Sequence, residues 1–158
     1  MQPSPQTRRR ALASLRLIAA LALLATGGVH LEQYLADDFS VLPTIGPLFL
    51  LNFLGGTALG LYFLVPAREA QGWGRRALDL LAAWAGIALA GASLVALFVS
   101  EHTPLFGFME RGYRLEIVVA IVAEVVAVLA LSAFVALRRP STAPVLATSP
   151  RPSNYTAS

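Results

Sequence analysis

The chain contains no cysteine and no lysine, and it has few charges of any kind. The absence of cysteine excludes disulfide bonds, cysteine-ligated zinc, iron–sulfur clusters and thiol catalysis. Charged residues make up 13% of the 158 residues, whereas 56% are hydrophobic. A soluble domain of this length needs a polar surface, which this composition cannot supply. The sequence therefore predicts an integral membrane protein with one domain.

Four apolar runs divide the chain, and each has the length of a membrane span, about 20 residues. We predict an all-α, four-transmembrane-helix bundle whose membrane domain covers residues 11–137, with spans at about 11–30, 44–65, 77–99 and 115–137. Residues 1–10 form a polar cytoplasmic N-terminal tail in this scheme. Residues 138–158 are rich in Pro, Ser, Thr and Ala and have no apolar period, which predicts a disordered cytoplasmic tail.

All twelve basic residues are arginines, and most of them flank the apolar runs. They precede the first span, separate the second from the third, and follow the fourth, so the positive-inside rule predicts that both termini are cytoplasmic. Arginines in these positions determine topology, and the isoelectric point of about 10.0 therefore does not indicate nucleic-acid binding. Arginine without lysine, together with many Ala and Leu residues, is typical of a high-GC bacterium. The expected location is thus the bacterial cytoplasmic (inner) membrane.

A cleaved signal peptide is the alternative interpretation of the first span, because a basic segment precedes an apolar one. The apolar run is long for a signal peptide, and Thr26-Gly27-Gly28 is a poor cleavage site. Cleavage would also leave three spans, whereas the arginine distribution fits four. We therefore expect the first span to be retained.

Glu124 lies near the middle of the fourth span, where a carboxyl group is costly to place. Small residues recur at spacings of three and four on every span, and such faces mediate helix contacts in membranes. Asn52, Ser93 and Glu124 all lie on these faces. Counting the helical rise places the three about 10 to 14 Å below the outer boundary. We predict that Asn52, Ser93 and Glu124 form one buried polar layer.

Three roles remain open for Glu124. A neutral, hydrogen-bonded carboxyl group would contribute to packing alone. A proton-relay, ion-binding or cofactor-binding group would use its acidity. The third role is contact with another membrane subunit.

Both histidines of the chain fall near the predicted outer boundary, together with several carboxylates. Imidazole and carboxylate suit zinc, copper or non-haem iron, and two histidines suit haem. The candidate metal or haem ligands are His30, Glu32, His102 and Glu116. Their spacing matches no established metal motif, and acidic outer loops also follow from the positive-inside rule. We favour a hydrogen-bonding role for His30 at the membrane interface.

Two segments carry a resemblance, Gly28-Val29-His30-Leu31-x-x-Tyr34 and Ile45-Gly46-Pro47-Leu48-Phe49-Leu50-Leu51-Asn52. They resemble a family of small four-span bacterial integral membrane proteins of uncharacterised function. The resemblance covers about residues 21–65, implies no activity, and draws attention to His30 and Asn52. In size and number of spans the chain is also similar to DoxX-like four-helix membrane proteins, some of which are linked to oxidoreductase systems.

The sequence has no nucleophile elbow, P-loop, HExxH or dinucleotide-binding motif. The leading hypothesis is a non-enzymatic membrane subunit, accessory protein or small-ligand-binding bundle. It would contact the lipid bilayer and either a membrane-protein partner or further copies of itself. One alternative is a metal- or haem-associated redox protein that uses the outer-face histidines and carboxylates. The other is a proton or ion pathway through an oligomer that uses Glu124. The sequence identifies no particular cofactor.

Reporter fusions test the predicted orientation. Green fluorescent protein fused to the C-terminus is expected to fluoresce, because the fusion stays in the cytoplasm. Alkaline phosphatase at the same position is expected to be inactive, whereas phosphatase fused after Leu42 is expected to be active, since that link lies outside. Active phosphatase at the C-terminus would contradict a four-span chain with both termini inside.

Overall fold

The computed structural model describes residues 4–36, 39–65, 73–107, 109, 112 and 114–138. Four long helices account for most of them: α1 (Pro5–Ala36), α2 (Ile45–Leu64), α3 (Trp73–His102) and α4 (Leu115–Arg138). A short 3₁₀ turn covers Phe39–Val41, and these residues include no strand. All four helices are long and apolar enough to cross a membrane. The predicted all-α four-helix fold is confirmed, and the chain is a multi-pass membrane protein.

The first helix is longer than the apolar run that predicted it. At its start, the Ser4 hydroxyl accepts a hydrogen bond from the backbone N–H of Thr7 at 3.2 Å. Pro5 occupies the first helical position, where its missing N–H costs nothing. Most of the predicted N-terminal tail is therefore helical. At the other end, α1 continues to Ala36, so His30 lies about 9 Å inside the helix.

The other helices begin and end close to the predicted spans. α2 has Pro47 in its first turn, a position that proline tolerates well. α3 extends a few residues beyond the predicted span at both ends. α4 ends at Arg138, the first residue of the predicted C-terminal tail. The rest of that tail, residues 139–158, lies outside the described residues.

The two terminal helices, α1 and α4, form the middle of the bundle. α1 packs against α2 and α4, and α3 packs against α4, while α2 and α3 share a shorter contact. Side chains such as Leu61, Trp84 and Leu129 are exposed on the outside. In a membrane, lipid covers these apolar surfaces, so their exposure carries no penalty.

The interior is apolar at mid-height and contains the predicted small-residue faces. Leu23 of α1 and Leu131 of α4 are completely buried there. The rings of Phe63 and Phe134 meet edge to face with centroids 5.7 Å apart, a favoured aromatic geometry. The prediction that the small-residue faces point inward is confirmed by their complete burial at Ala19, Ala83, Ala90 and Ala127.

The α1–α2 contact depends on glycine. A Cβ atom added to Gly56 would lie 2.8 Å from the Leu23 carbonyl oxygen and 3.2 Å from the Gly27 nitrogen. A Cβ atom on Gly60 would lie 3.1 Å from the Ala20 carbonyl oxygen. The Gly56-x-x-x-Gly60 pair therefore allows the two backbones to approach closely, as small residues do between membrane helices.

Alanine substitution tests this close approach. Gly56→Ala is expected to lower the melting temperature in detergent, because the backbones must separate, and overpacking of this kind costs about 1–3 kcal/mol. Gly28→Ala is the matched control on α1, since a Cβ atom there meets nothing within 4 Å. Both changes gain the same helix propensity, about 1 kcal/mol. Equal melting temperatures for the two variants would contradict the contact.

One end of the bundle, here called the arginine end, is held by an ionic cluster around the buried carboxylate of Asp79. Arg16 Nη1 lies 3.1 Å and Arg75 Nε 3.3 Å from Asp79 Oδ1, and Arg138 Nη2 lies 2.8 Å from Oδ2. The Tyr62 hydroxyl donates a hydrogen bond to Oδ1 at 2.7 Å. Each of the four helices therefore contributes a side chain to this cluster.

Arg16 also joins α1 to the end of α2. Its Nη2 donates hydrogen bonds to the carbonyl oxygens of Tyr62 at 3.3 Å and Val65 at 3.2 Å. Its guanidinium carbon lies 5.2 Å from the centroid of the Phe63 ring, a cation–π distance. A single buried arginine thus binds a carboxylate, a helix terminus and an aromatic face.

Two other arginines cap the last turn of α4. Arg8 Nε donates to the Leu137 carbonyl oxygen at 3.1 Å, and Arg76 donates to the Arg138 carbonyl oxygen. The last carbonyl groups of a helix have no partner within the helix, and they attract cations. Arg8 of α1 and Arg76 of α3 therefore stabilise the end of α4.

Removing the Asp79 charge tests the importance of the cluster. Asp79→Asn is expected to reduce the folded fraction strongly, because three arginines lose their counter-charge. Breaking a buried ion pair costs about 3–5 kcal/mol. Glu32→Gln makes the same chemical change at an exposed position and is expected to have little effect. Fluorescence-detected size exclusion after heating measures both variants. An Asp79→Asn variant as stable as Glu32→Gln would show that the cluster contributes little.

Candidate functional site

At the end of the bundle opposite Asp79, the helices surround a cavity of about 210 Å³. All four helices line it, and Leu105 from the α3–α4 link adds to the wall. The wall is largely apolar and includes Ile45, Leu48, Phe49, Leu89, Leu97 and Ile117. An apolar cavity of about 150 Å³ is large enough to bind benzene. This cavity therefore has room for a single substituted ring.

The cavity opens between α2 and α3. Its most exposed lining residues, Leu48, Leu51 and Ala92, belong to these two helices. Further along, a Cβ atom on Gly55 would lie 3.1 Å from Leu89 Cδ2, so the two helices meet there and close the gap toward mid-height. Both helices expose apolar side chains, such as Leu51 of α2 and Val95 of α3, so we expect the opening on a lipid-facing side of the bundle.

His30 is buried beside the cavity, with 5% of its surface exposed. Its Nδ1–H donates to the Thr26 carbonyl oxygen at 2.9 Å. In the neutral imidazole this bond leaves Nε2 as a hydrogen-bond acceptor. Nε2 lies 3.2 Å from the Ser93 hydroxyl oxygen, and the ring packs against Phe49 with centroids 5.0 Å apart. The backbone thus fixes which nitrogen faces the cavity.

Glu124 lies next to this imidazole and is 1% exposed. Its Oε1 atom is 3.8 Å from His30 Nε2, which is too long for a hydrogen bond. The Ser93 hydroxyl lines the same cavity as this carboxyl group. Among the described residues, Oε1 has no hydrogen-bond partner. A buried polar atom without a partner costs about 1–3 kcal/mol, which makes this oxygen the most informative atom of the site.

Asn52 supplies a second unpartnered acceptor. Its Nδ2 donates a long bond of 3.4 Å to the Leu48 carbonyl oxygen, while Oδ1 is buried without a partner among the described residues. The structure thus places Asn52, Ser93 and Glu124, the predicted polar layer, around one cavity. His30, which was not part of the predicted layer, lines the same cavity.

The location of His30 is what the sequence analysis missed. The apolar run ends at that residue, which suggested a place at the membrane boundary. The helix continues to Ala36, as the spacing of Leu31, Tyr34 and Leu35 predicts, and it places His30 beside Glu124. His30 also lies four residues after Thr26 on the small-residue face of α1, a signal that could have placed it inside.

The other candidate metal or haem ligands lie elsewhere. Glu32 and His102 are exposed, and Glu116 is half-buried. His102 Nδ1–H donates to the Phe98 carbonyl oxygen at 2.7 Å. Within the described part of the chain, no group of three or more His, Cys, Asp or Glu side chains is arranged to hold a metal ion.

The polar clusters at the two ends are separated by the apolar centre of the bundle. Along α1, Leu23 lies seven residues from both Arg16 and His30. Along α4, Leu131 lies seven residues from both Glu124 and Arg138. Seven residues are about two helical turns, so on each helix the arginine, the leucine and the polar side chain of the cavity lie on the same face. Both leucines are completely buried.

Comparisons with protein-family models, with curated proteins and with solved structures each found no match to this chain.

Proposed function

We propose that this chain is a bacterial inner-membrane protein that binds a small, lipid-soluble molecule in the cavity between its helices. It acts as a ligand-binding or accessory subunit and not as an enzyme. The observation that carries this proposal is the unpartnered Oε1 atom of Glu124, buried beside a largely apolar cavity of about 210 Å³. Apolar walls with a few convergent polar groups are typical of small-molecule sites.

The position of the opening supports a lipid-soluble ligand. A molecule dissolved in the bilayer reaches the gap between α2 and α3 directly, whereas a water-soluble molecule would have to cross the apolar wall. The interior of a helix bundle is also a usual place for ligand sites. The polar atoms then fix the orientation of a ligand that the apolar wall holds.

The arginines at one end of the bundle support the proposed orientation, with both termini in the cytoplasm. Arg8, Arg16, Arg75, Arg76 and Arg138 all lie at that end. Under the positive-inside rule this end faces the cytoplasm, together with both termini. The cavity then lies in the outer half of the membrane.

The proposal also includes membership of a family of small four-span bacterial membrane proteins. His30 and Asn52, the polar residues of the segments that carry the resemblance, both line the cavity. A proton or ion pathway through an oligomer that uses Glu124 has less support, because Glu124 is buried inside one bundle and the buried Leu23 and Leu131 lie between it and the arginine end.

Filling the cavity tests the function. Ala96 lines the cavity, whereas Ala88 is exposed on the same helix and does not line it. Protein purified in mild detergent is expected to retain a lipid-soluble molecule, which mass spectrometry of an organic extract detects. Ala96→Leu is expected to reduce the bound amount about tenfold, because the added side chain occupies the space.

Ala88→Leu is the control and is expected to retain as much of the molecule as the parent. Both variants should stay folded, which size exclusion verifies. Equal retention in Ala96→Leu and Ala88→Leu would overturn the proposal. So would the absence of any bound molecule at an amount comparable with the protein.

A further inference from the structure

Two buried oxygens on the polar side of the cavity, Glu124 Oε1 and Asn52 Oδ1, have no hydrogen-bond partner among the described residues. His30 Nε2, Glu124 Oε1 and Asn52 Oδ1 can all accept. The Ser93 hydroxyl carries one hydrogen, and it cannot donate to His30 and to Glu124 at the same time. Asn52 Nδ2 carries two hydrogens, one of which is directed at the Leu48 carbonyl oxygen.

These two unpartnered oxygens restrict the chemistry of the ligand. Whichever protonation state Glu124 adopts, one of its carboxyl oxygens remains an acceptor. A ligand with only carbonyl or ether oxygens adds acceptors and leaves Asn52 Oδ1 unpaired. A ligand hydroxyl donates one hydrogen bond and can also accept one. The site therefore matches a donor group on the ligand.

The wall of the cavity indicates that the donor group of the ligand is attached to an aromatic ring. The Phe49 and His30 rings, tilted by 55°, form one side of the cavity, and aromatic rings pack well on such surfaces. The volume of about 210 Å³ exceeds that of an apolar cavity of roughly 150 Å³ that binds benzene. A single ring with a short substituent fits, and a longer apolar chain can extend through the opening between α2 and α3.

Building on the function proposed above, we propose that the ligand belongs to the phenol or hydroquinone class. Its ring packs against Phe49, its hydroxyl group donates to the polar side formed by Glu124 and Asn52, and its apolar tail points toward the bilayer. An ammonium group would also donate hydrogen bonds, but its charge would have to leave water and enter an apolar wall, which is costly.

Two matched probe compounds test whether the ligand must donate a hydrogen bond. We would measure binding of 4-propylphenol and of its methyl ether, 4-propylanisole, to the full chain in lipid nanodiscs by titration calorimetry. The ether has nearly the same shape and keeps the oxygen but lacks the hydrogen. Ala96→Leu in the same nanodiscs corrects for partitioning into lipid. The phenol is expected to bind about tenfold more tightly than the ether, because only it can donate to the acceptors.

Two variants locate the donor's partners. Glu124→Met keeps the side-chain length but removes both oxygens, and Asn52→Leu removes the amide. In each, the preference for the phenol is expected to fall by about threefold or more, while the ether binds as before. Because the ether reports on the cavity itself, a variant that fails to fold is recognised by the loss of ether binding. The remaining variant then provides the test.

The outcomes separate the two proposals. Equal binding of phenol and ether to the parent would overturn the donor inference and leave the ligand-binding function standing. If the parent binds neither compound but still carries a co-purified molecule, the assignment to the phenol or hydroquinone class is overturned and the ligand-binding function stands. Tighter binding of trimethyl-(4-propylphenyl)ammonium than of the phenol would also overturn it, because that cation has no hydrogen to donate.

Discussion

Burial of the Asp79 carboxylate is the constraint on which the arrangement of the bundle depends. A charge inside a membrane bundle has to be paired. Pairing Asp79 here uses arginines from α1, α3 and α4 and a tyrosine hydroxyl from α2. These contacts fix the axial positions of all four helices at one end. The seven-residue repeats of α1 and α4 then bring Leu23 level with Leu131, and His30 level with Glu124.

The two ends of the bundle differ in charge pairing. At the arginine end, Asp79 forms ion pairs with arginines of three helices, and helix carbonyl groups accept hydrogen bonds from neighbouring helices, although Arg75 Nε, Asp79 Oδ2 and Arg138 Nε lack a hydrogen-bond partner among the described residues. At the cavity end, Glu124 and Asn52 each retain a buried oxygen without a partner. The packed apolar centre of the bundle separates the cavity from the arginine end. Under the proposed function, stability depends on the arginine end and recognition on the cavity end.

Hydropathy and the spacing of small residues predicted the spans and the faces that pack together, because both are properties of a single helix. They also brought Asn52, Ser93 and Glu124 to a similar depth. The partners of Asp79 could not be predicted in this way. The spacing of arginines predicts topology for Arg16, whereas its contact with Asp79 requires the relative register of two helices. The place of His30 beside Glu124 could not be predicted for the same reason, since it requires the register of α1 against α4.

The contacts of α1 also bear on the order in which the chain assembles. Arg16 and Asp79 are 63 residues apart, and Arg8 contacts a carbonyl group 129 residues further along the chain. The first helix enters the membrane during synthesis, before either partner exists. Until then an arginine near the end of a membrane span can extend its side chain to the lipid headgroups. We therefore expect Arg16 to exchange headgroups for the Asp79 carboxylate once α3 has been made, so that the helix made first completes its contacts only after the later helices exist.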